Sequence, residues 1–180
     1  MRAFSTPFSH HGEFSAYPAI VTVYPTKSLS RINDRDGTKD HIYRLRHAEK
    51  ATFEGKVRRE PTNKEIIVVG NLSCNLSRTT GPRPLIIKNL IAQDPNILFF
   101  TGDQTYHHTQ HTSGWLEFGM QFRDIMSARP TITIPDDHDI GQANLWGEGG
   151  IQVTNAAGPS GGYFYAPEYV NMVQRQQAWH

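Results

Sequence analysis

Residues 65 to 135 alternate short apolar runs with amphipathic stretches, and this alternation constrains the fold more than any other feature. "EIIVVG" (65–70) is an apolar run of strand length. "PLIIKNLIAQ" (84–93) opens on proline and carries Leu85, Ile86, Leu90 and Ile91 at helical spacing. "NILFFTG" (96–102) reads as a second buried strand. "GWLEFGMQFRDIMSA" (114–128) places Trp115, Phe118, Phe122, Ile125 and Met126 on one helical face. "TITIP" (131–135) is a third strand. Strand, helix, strand, helix, strand with right-handed crossovers predicts three parallel strands whose carboxyl ends share one edge. Ligands of open α/β sheets bind outside that edge.

The flanks read differently. "AIVTVY" (19–24) and "HIYRLRHAEKATFEGKVRR" (41–59) alternate and are rich in β-branched and aromatic residues, so residues 1–62 are expected to form a small β-rich segment and 63–180 a second domain. Residues 1–14 are polar and irregular, and Asp36-Gly37 is the expected tight turn of "RINDRDGTKD". After residue 146 comes a glycine-rich stretch. The final "APEYVNMVQRQQAWH" predicts a helix with Tyr169, Met172, Val173 and Gln176 at helical spacing. Formal charge is +1 with no basic stripe, which gives a nucleic-acid surface no support. No apolar run approaches the roughly 20 residues of a membrane span. The start lacks the apolar core of a signal peptide, and the single cysteine excludes an intrachain disulfide.

Each predicted strand is followed by a polar constellation: "NLSCN" (71–75), "GDQTYHH" (102–108) and "DDHD" (136–139). Acids packed as Asp136-Asp137-His138-Asp139 repel one another unless a positive group holds them, and a metal pair is the simplest such group. Aspartate is a hard oxygen donor, tyrosine can bind as phenolate and cysteine as thiolate. Two cations about 3.5–4 Å apart can clamp a phosphoryl group during displacement. Plainer readings stand beside this one. Cys74 can be a small buried apolar residue, Asp103 a turn or cap residue, and Tyr106 a packed aromatic. His107, His108 and His111 read as solvated loop residues or substrate contacts. Trp115 and Phe118 read as core, while Trp146 fits either role.

"LSCN", "GDQTY" and "DDHDIGQAN", in this order and spacing, resemble the alkaline phosphatase D (PhoD-like) branch of the metallophosphoesterases over about residues 40–180. The resemblance implies an α/β fold, a partial α/β/β/α sandwich preceded by the end of a β domain. It implies a phosphoesterase that hydrolyses phosphate mono- or diesters by attack of metal-bound hydroxide. The implied cofactors are iron and a second divalent cation such as calcium. On this resemblance Asp103 is the bridging carboxylate, Tyr106 and Cys74 are iron ligands, and Asp137 binds the second metal. His138 and Asp103 are the catalytic residues, and His138, Asn144 and His107 face the substrate. Asp136 and Asp139 are auxiliary.

The chain departs from the family pattern in two places. No aspartate stands near Cys74, where the superfamily has Asp-x-His; either Asn71 or Asn75 offers an amide oxygen instead or the position is vacant. The family's later histidine motifs are also absent, and His180 does not replace them. The chain is therefore expected to be an N-terminal portion of a longer enzyme, with a small phosphate ester as substrate and a separate C-terminal portion as a partner. The rival expectation is a non-catalytic truncated or split-gene product that binds metal weakly. Members of the resembled family are often exported, which leaves the localisation open.

Overall fold

The computed structural model describes residues 19–22, 35–47, 51–76, 83–108, 110–141, 143–145 and 161–178. The irregular N-terminus expected over 1–14, Trp146 with most of the glycine-rich stretch, and His180 lie outside the described residues. The fold is α/β, and the chain divides into two compact units: Met1–Glu65 with Ser127–Arg129, and Ile66–Met126 with Pro130–His180.

The first unit holds one sheet of three strands, β1 (Ala19–Thr22), β2 (His41–His47) and β3 (Ala51–Val57), in the order β1-β2-β3. β1 runs parallel to β2, and β2 pairs antiparallel with β3 from His41↔Val57 to His47↔Ala51. Gly55 lies opposite Tyr43, and a Cβ on Gly55 would come 2.2 Å from the tyrosine ring. The aromatic ring thus covers a glycine that would otherwise leave the strand thin. The Tyr43 hydroxyl donates to the Ser127 carbonyl at 3.0 Å. The expected turn forms at Asp36-Gly37, where Asp36 Oδ1 accepts from the Thr38 N–H at 3.0 Å and the Thr38 hydroxyl at 2.6 Å. Those bonds hold the Asp36 carboxyl down at about 2.

The second unit follows the alternation. β4 (Val69–Leu72), α1 (Arg83–Ala92), β5 (Ile97–Phe100), α2 (His111–Met126), β6 (Thr131–Thr133) and α3 (Pro167–Gln177) succeed one another, and the strands form a parallel sheet in the order β4-β5-β6. Because the order is sequential, both right-handed crossovers place their helices on the same face. That face carries the core of Leu98, Phe100, Phe118, Phe122 and Ile125, with Ile87, Leu90, Trp115 and Met126 packed against it. The Phe100 ring meets Phe118 edge-on at 4.9 Å, a favoured aromatic geometry. The opposite face stays open among the described residues, with Val69 53% exposed, Ile132 40% and Ile134 42%.

Two expected elements are displaced. The first strand begins at Val69 rather than Glu65, and Ile66 and Ile67 lie outside the ladder. The register Val69↔Ile97 would set residue 67 against Pro95, which has no N–H to give. Asn96 closes the ladder instead: its side-chain oxygen accepts from the Val68 N–H at 3.1 Å, and its own N–H donates to the Val68 carbonyl at 2.8 Å. The α1 face is also not the expected one. Ile87 and Leu90 face the core, whereas Leu85, Ile86 and Ile91 are exposed. In the final helix Val173 and Gln177 are the buried positions.

Candidate metal centre

The three polar constellations meet at the carboxyl edge of β4-β5-β6. The chain leaves β5 through Gly102, whose φ of +106° favours glycine. A Cβ there would lie 2.3 Å from the Asp136 Cβ, so the loops after β5 and β6 approach closely only because this residue is glycine. The loop after β4 runs alongside: the Cys74 N–H donates to the Gly102 carbonyl at 3.2 Å and the Asn75 N–H to the Asp103 carbonyl at 2.7 Å. Buried Gln104 ties the strand ends together, its amide donating to the carbonyls of Phe100 at 3.1 Å and Ile134 at 3.2 Å. Cys74, Asp103 and Asn144 all sit at φ between 57° and 60°, left-handed positions that non-glycine residues adopt at a cost of about 1–3 kcal/mol and that cluster at functional sites.

Asp103 is the hub. Its Oδ2 accepts from the Tyr106 hydroxyl at 2.9 Å and from Cys74 Sγ at 3.7 Å, and its Oδ1 accepts from the His138 N–H at 3.3 Å. Burial raises its pKa, as do the neighbouring charges of Asp137 and Asp136, against the lowering effects of Tyr106 and His138. Burial, the Asp103 bond and Cys74 push the Tyr106 phenol well above its ordinary value. The ligand atoms of Asp103, Asp137 and His138 lie within 4.8 Å of one another, a group that could hold a metal ion. Tyr106 and Cys74 aim their protons at one carboxylate oxygen of that group. A cation beside Asp103 would find two carboxylates, an imidazole, a phenol and a thiol within reach, a donor set able to hold a metal ion. It would also act against the upward push on the phenol, since opposite charge favours phenolate.

The four residues of "DDHD" do different work. Asp136 and Asp137 accept locally, from the N–H groups of Asp137 at 2.9 Å and His138 at 2.8 Å respectively, and Asp137 Oδ2 also accepts from the Asn144 N–H. Asp139 is fully buried, at 0% exposed. It accepts from the N–H groups of Thr105 at 3.0 Å and Asp136 at 3.1 Å, so one carboxylate clasps the loops that carry Asp103 and His138. Burial raises its pKa while the bonds from Gln177, Asp136, Thr105 and Gln104 lower it.

Cys74, Asp103, Tyr106, Asp137 and His138 are thus brought together, and Asn144 touches Asp137 through its backbone. His107 turns elsewhere, with its Nε2 3.0 Å from Glu117 Oε2. Neither asparagine near Cys74 offers an oxygen to this cluster. Asn75 Oδ1 accepts from Arg83 at 2.8 Å while its amide donates to Gln104 and Gln121, and Asn71 lies exposed within β4. His111 is no solvated loop residue: it opens α2, is 2% exposed, and burial lowers its pKa to about 4. Asp139 as a clasp and His108, whose Nε2 lies 2.8 Å from His138 Nδ1, were not distinguished by the sequence. Burial of Asp139 is hinted at only by Ile140 beside it.

No protein-family model matches the chain, and no curated protein matches it either. Among solved structures the chain is similar to purple acid phosphatase PPD1 isolated from yellow lupin (Lupinus luteus) seeds, with 20% identity and a TM-score of 0.43, over 71% of this chain and 26% of that one. The chain thus spans about a quarter of the length of that structure.

Proposed function

We propose that the chain carries the centre of a metal-dependent phosphoesterase of the alkaline phosphatase D kind, acting on a small phosphate mono- or diester. One observation supports this above all: Cys74, Asp103, Tyr106, Asp137 and His138, drawn from the ends of three parallel strands, gather around one buried carboxylate. Iron suits the side with Tyr106 and Cys74, and calcium the side with Asp137. Bound cations would offset the charge of the phosphoryl oxygens and lower the pKa of a water.

The chain's own residues do the rest. Asp103, Tyr106 and Cys74 would hold the cations, and the phenol and thiol would do so as phenolate and thiolate. His138 stands beside Asp103 to hydrogen-bond a phosphoryl oxygen and to hand a proton to the departing alkoxide. Asn144, next to Asp137, contacts the ester. His107, held by Glu117, is left without that role.

The experiment measures metal content after incubation with iron and calcium, and hydrolysis of an aryl phosphate monoester and diester. Asp103→Ala should lower metal content at least about tenfold, in the range that loss of a ligand-shell group causes, and remove metal-dependent hydrolysis. Metal content that Asp103→Ala leaves unchanged would overturn the reading. Metal uptake without turnover of either ester would favour the non-catalytic role.

A further inference from the structure

The reading of His138 as the residue that faces the phosphoryl group leaves open what aims its ring. His138 Nδ1 lies 2.8 Å from His108 Nε2, within hydrogen-bond range, and the two ring planes differ by only 17°. Near-parallel planes allow a ring N–H to lie along the in-plane lone pair of the other ring. One nitrogen must donate and the other accept, so the two rings cannot choose their tautomers independently. With Nδ1 engaged, Nε2 is the nitrogen left for a ligand. The Tyr106 ring, 4.2 Å away and tilted by 37°, packs against the same imidazole.

His108 is itself held in place. Its carbonyl accepts from the Tyr169 hydroxyl of α3 at 3.0 Å. Gly141 leaves room for that carbonyl, which would stand 2.9 Å from a Cβ at position 141. Its neighbour His107, by contrast, reaches Glu117 on α2. Two adjacent histidines are therefore sorted by the fold, one onto a helix and one onto His138.

We propose that His108 is a positioning residue for His138: it fixes one tautomer and one ring orientation, and so reserves Nε2 of His138 for the phosphoryl group. The proposal rests on the phosphoesterase reading, and its test separates the two. An amide can either donate or accept by flipping, so His108→Gln, whose amide reaches about as far as Nε2, should replace the contact whichever nitrogen donates. His108→Asn has the same polarity and is too short to reach.

The first arm is ¹⁵N NMR of the imidazoles in the full chain without added metal, at about pH 8 and so above the ordinary histidine pKa, with His138 assigned by loss of its signals in His138→Gln. In the parent, His138 should show one protonated and one bare nitrogen at well-separated shifts. In His108→Asn the two shifts should move toward each other as the tautomers mix. The second arm is steady-state hydrolysis of an aryl phosphate with iron and calcium present. His108→Asn should lower kcat about 10–100-fold, the range for loss of an orienting partner, with KM within about twofold and metal content unchanged, and His108→Gln should recover most of kcat. Identical His138 shifts in the parent and His108→Asn would overturn the proposal, as would equal kcat in the two amide variants. If the parent turns over no ester, the phosphoesterase reading fails while the NMR arm still decides whether His108 sets the His138 tautomer.

Discussion

The two sheets of this chain have three strands each and rest on different physics. In β4-β5-β6 the helix-backed face buries Leu98 and Phe100, and every buried hydrophobic residue described belongs to this unit. In β1-β2-β3 no described side chain of β2 or β3 is fully buried, and charged pairs link the β2 and β3 segments: Arg44 Nε donates to Glu54 Oε1 at 2.6 Å, and Lys56 Nζ lies 3.0 Å from Oδ2 of Asp40, just before β2. Short apolar runs mark the strands of the parallel sheet, and alternation marks those of the other. Only the parallel sheet converts its pattern into apolar burial, worth about 1.5–3 kcal/mol per large side chain. The candidate centre stands at the end of that sheet, where a preorganised scaffold can hold strained and buried polar groups.

The strongest way to break this comparison is to hollow out the core. Phe100→Ala should cost about 3–5 kcal/mol in urea unfolding of the second unit, because the Phe100 ring packs against both Phe118 and Phe122. A loss under about 1 kcal/mol would mean that this sheet is no better supported than the other. Removing the clasp should rank next. Asp139→Ala takes the acceptor from the buried Thr105 N–H and from the part-buried Asp136 N–H, at about 1–3 kcal/mol. It should also reduce metal content, since it frees the loop of Asp103 from the loop of His138. Stability lost with metal content intact would make Asp139 a folding residue alone.

A third test uses pH. The His111 pKa falls from an ordinary 6.5 to about 4 in the folded chain. Above 6.5 neither state binds the proton and no penalty arises. As pH drops toward 4 the unfolded state takes a proton that the folded state refuses, so stability falls, by at most ~3 kcal/mol. The raised pKa values of Asp103 and Asp139 act in the opposite direction. They are common to the parent and His111→Gln, so the difference in unfolding free energy between the two proteins, measured from pH 7 to 5, isolates the histidine. Parallel pH curves would show that position 111 admits solvent. The smallest effect belongs to the first unit. Arg44→Ala removes a partly exposed ion pair with Glu54 and should cost less than about 1 kcal/mol, read as a shift in its unfolding midpoint. A larger cost would show that surface pairs carry this sheet after all.

The sequence was most legible where apolar runs end on polar residues. The three strands and the residues just beyond them could be placed because a parallel sheet delivers its strand ends to one edge. The face of α1 could not be read, because "LIIKNLI" is apolar nearly all round and only Lys88 and Asn89 could have marked a solvent side. The start of β4 depended on Pro95, a partner known only once the register is known. Among the site residues, the "DDHD" acids announced themselves by crowding, and Asp103 and Tyr106 by their place just after a strand and by the family resemblance. The separate fates of His107, His108 and His111 did not, since they are set by Glu117, His138 and the core behind α2. Asp139 resembles its neighbours in sequence and differs from them because it is buried and accepts from a backbone N–H 34 residues away.

The chain order of the cluster has a consequence for timing. Cys74 precedes Asp103 by 29 residues, and His138 follows it by 35. No two of the three strand-end loops can meet until a crossover has closed, and parallel pairing of this kind is slow because the closure entropy comes before the contacts. A nascent chain that has emerged only as far as Tyr106 carries thiol, carboxylate and phenol but no second acid and no clasp. Capture of a metal by the full cluster would therefore be a late event in the life of the molecule. In a refolding experiment its onset would report the docking of β6 rather than the first collapse of the core.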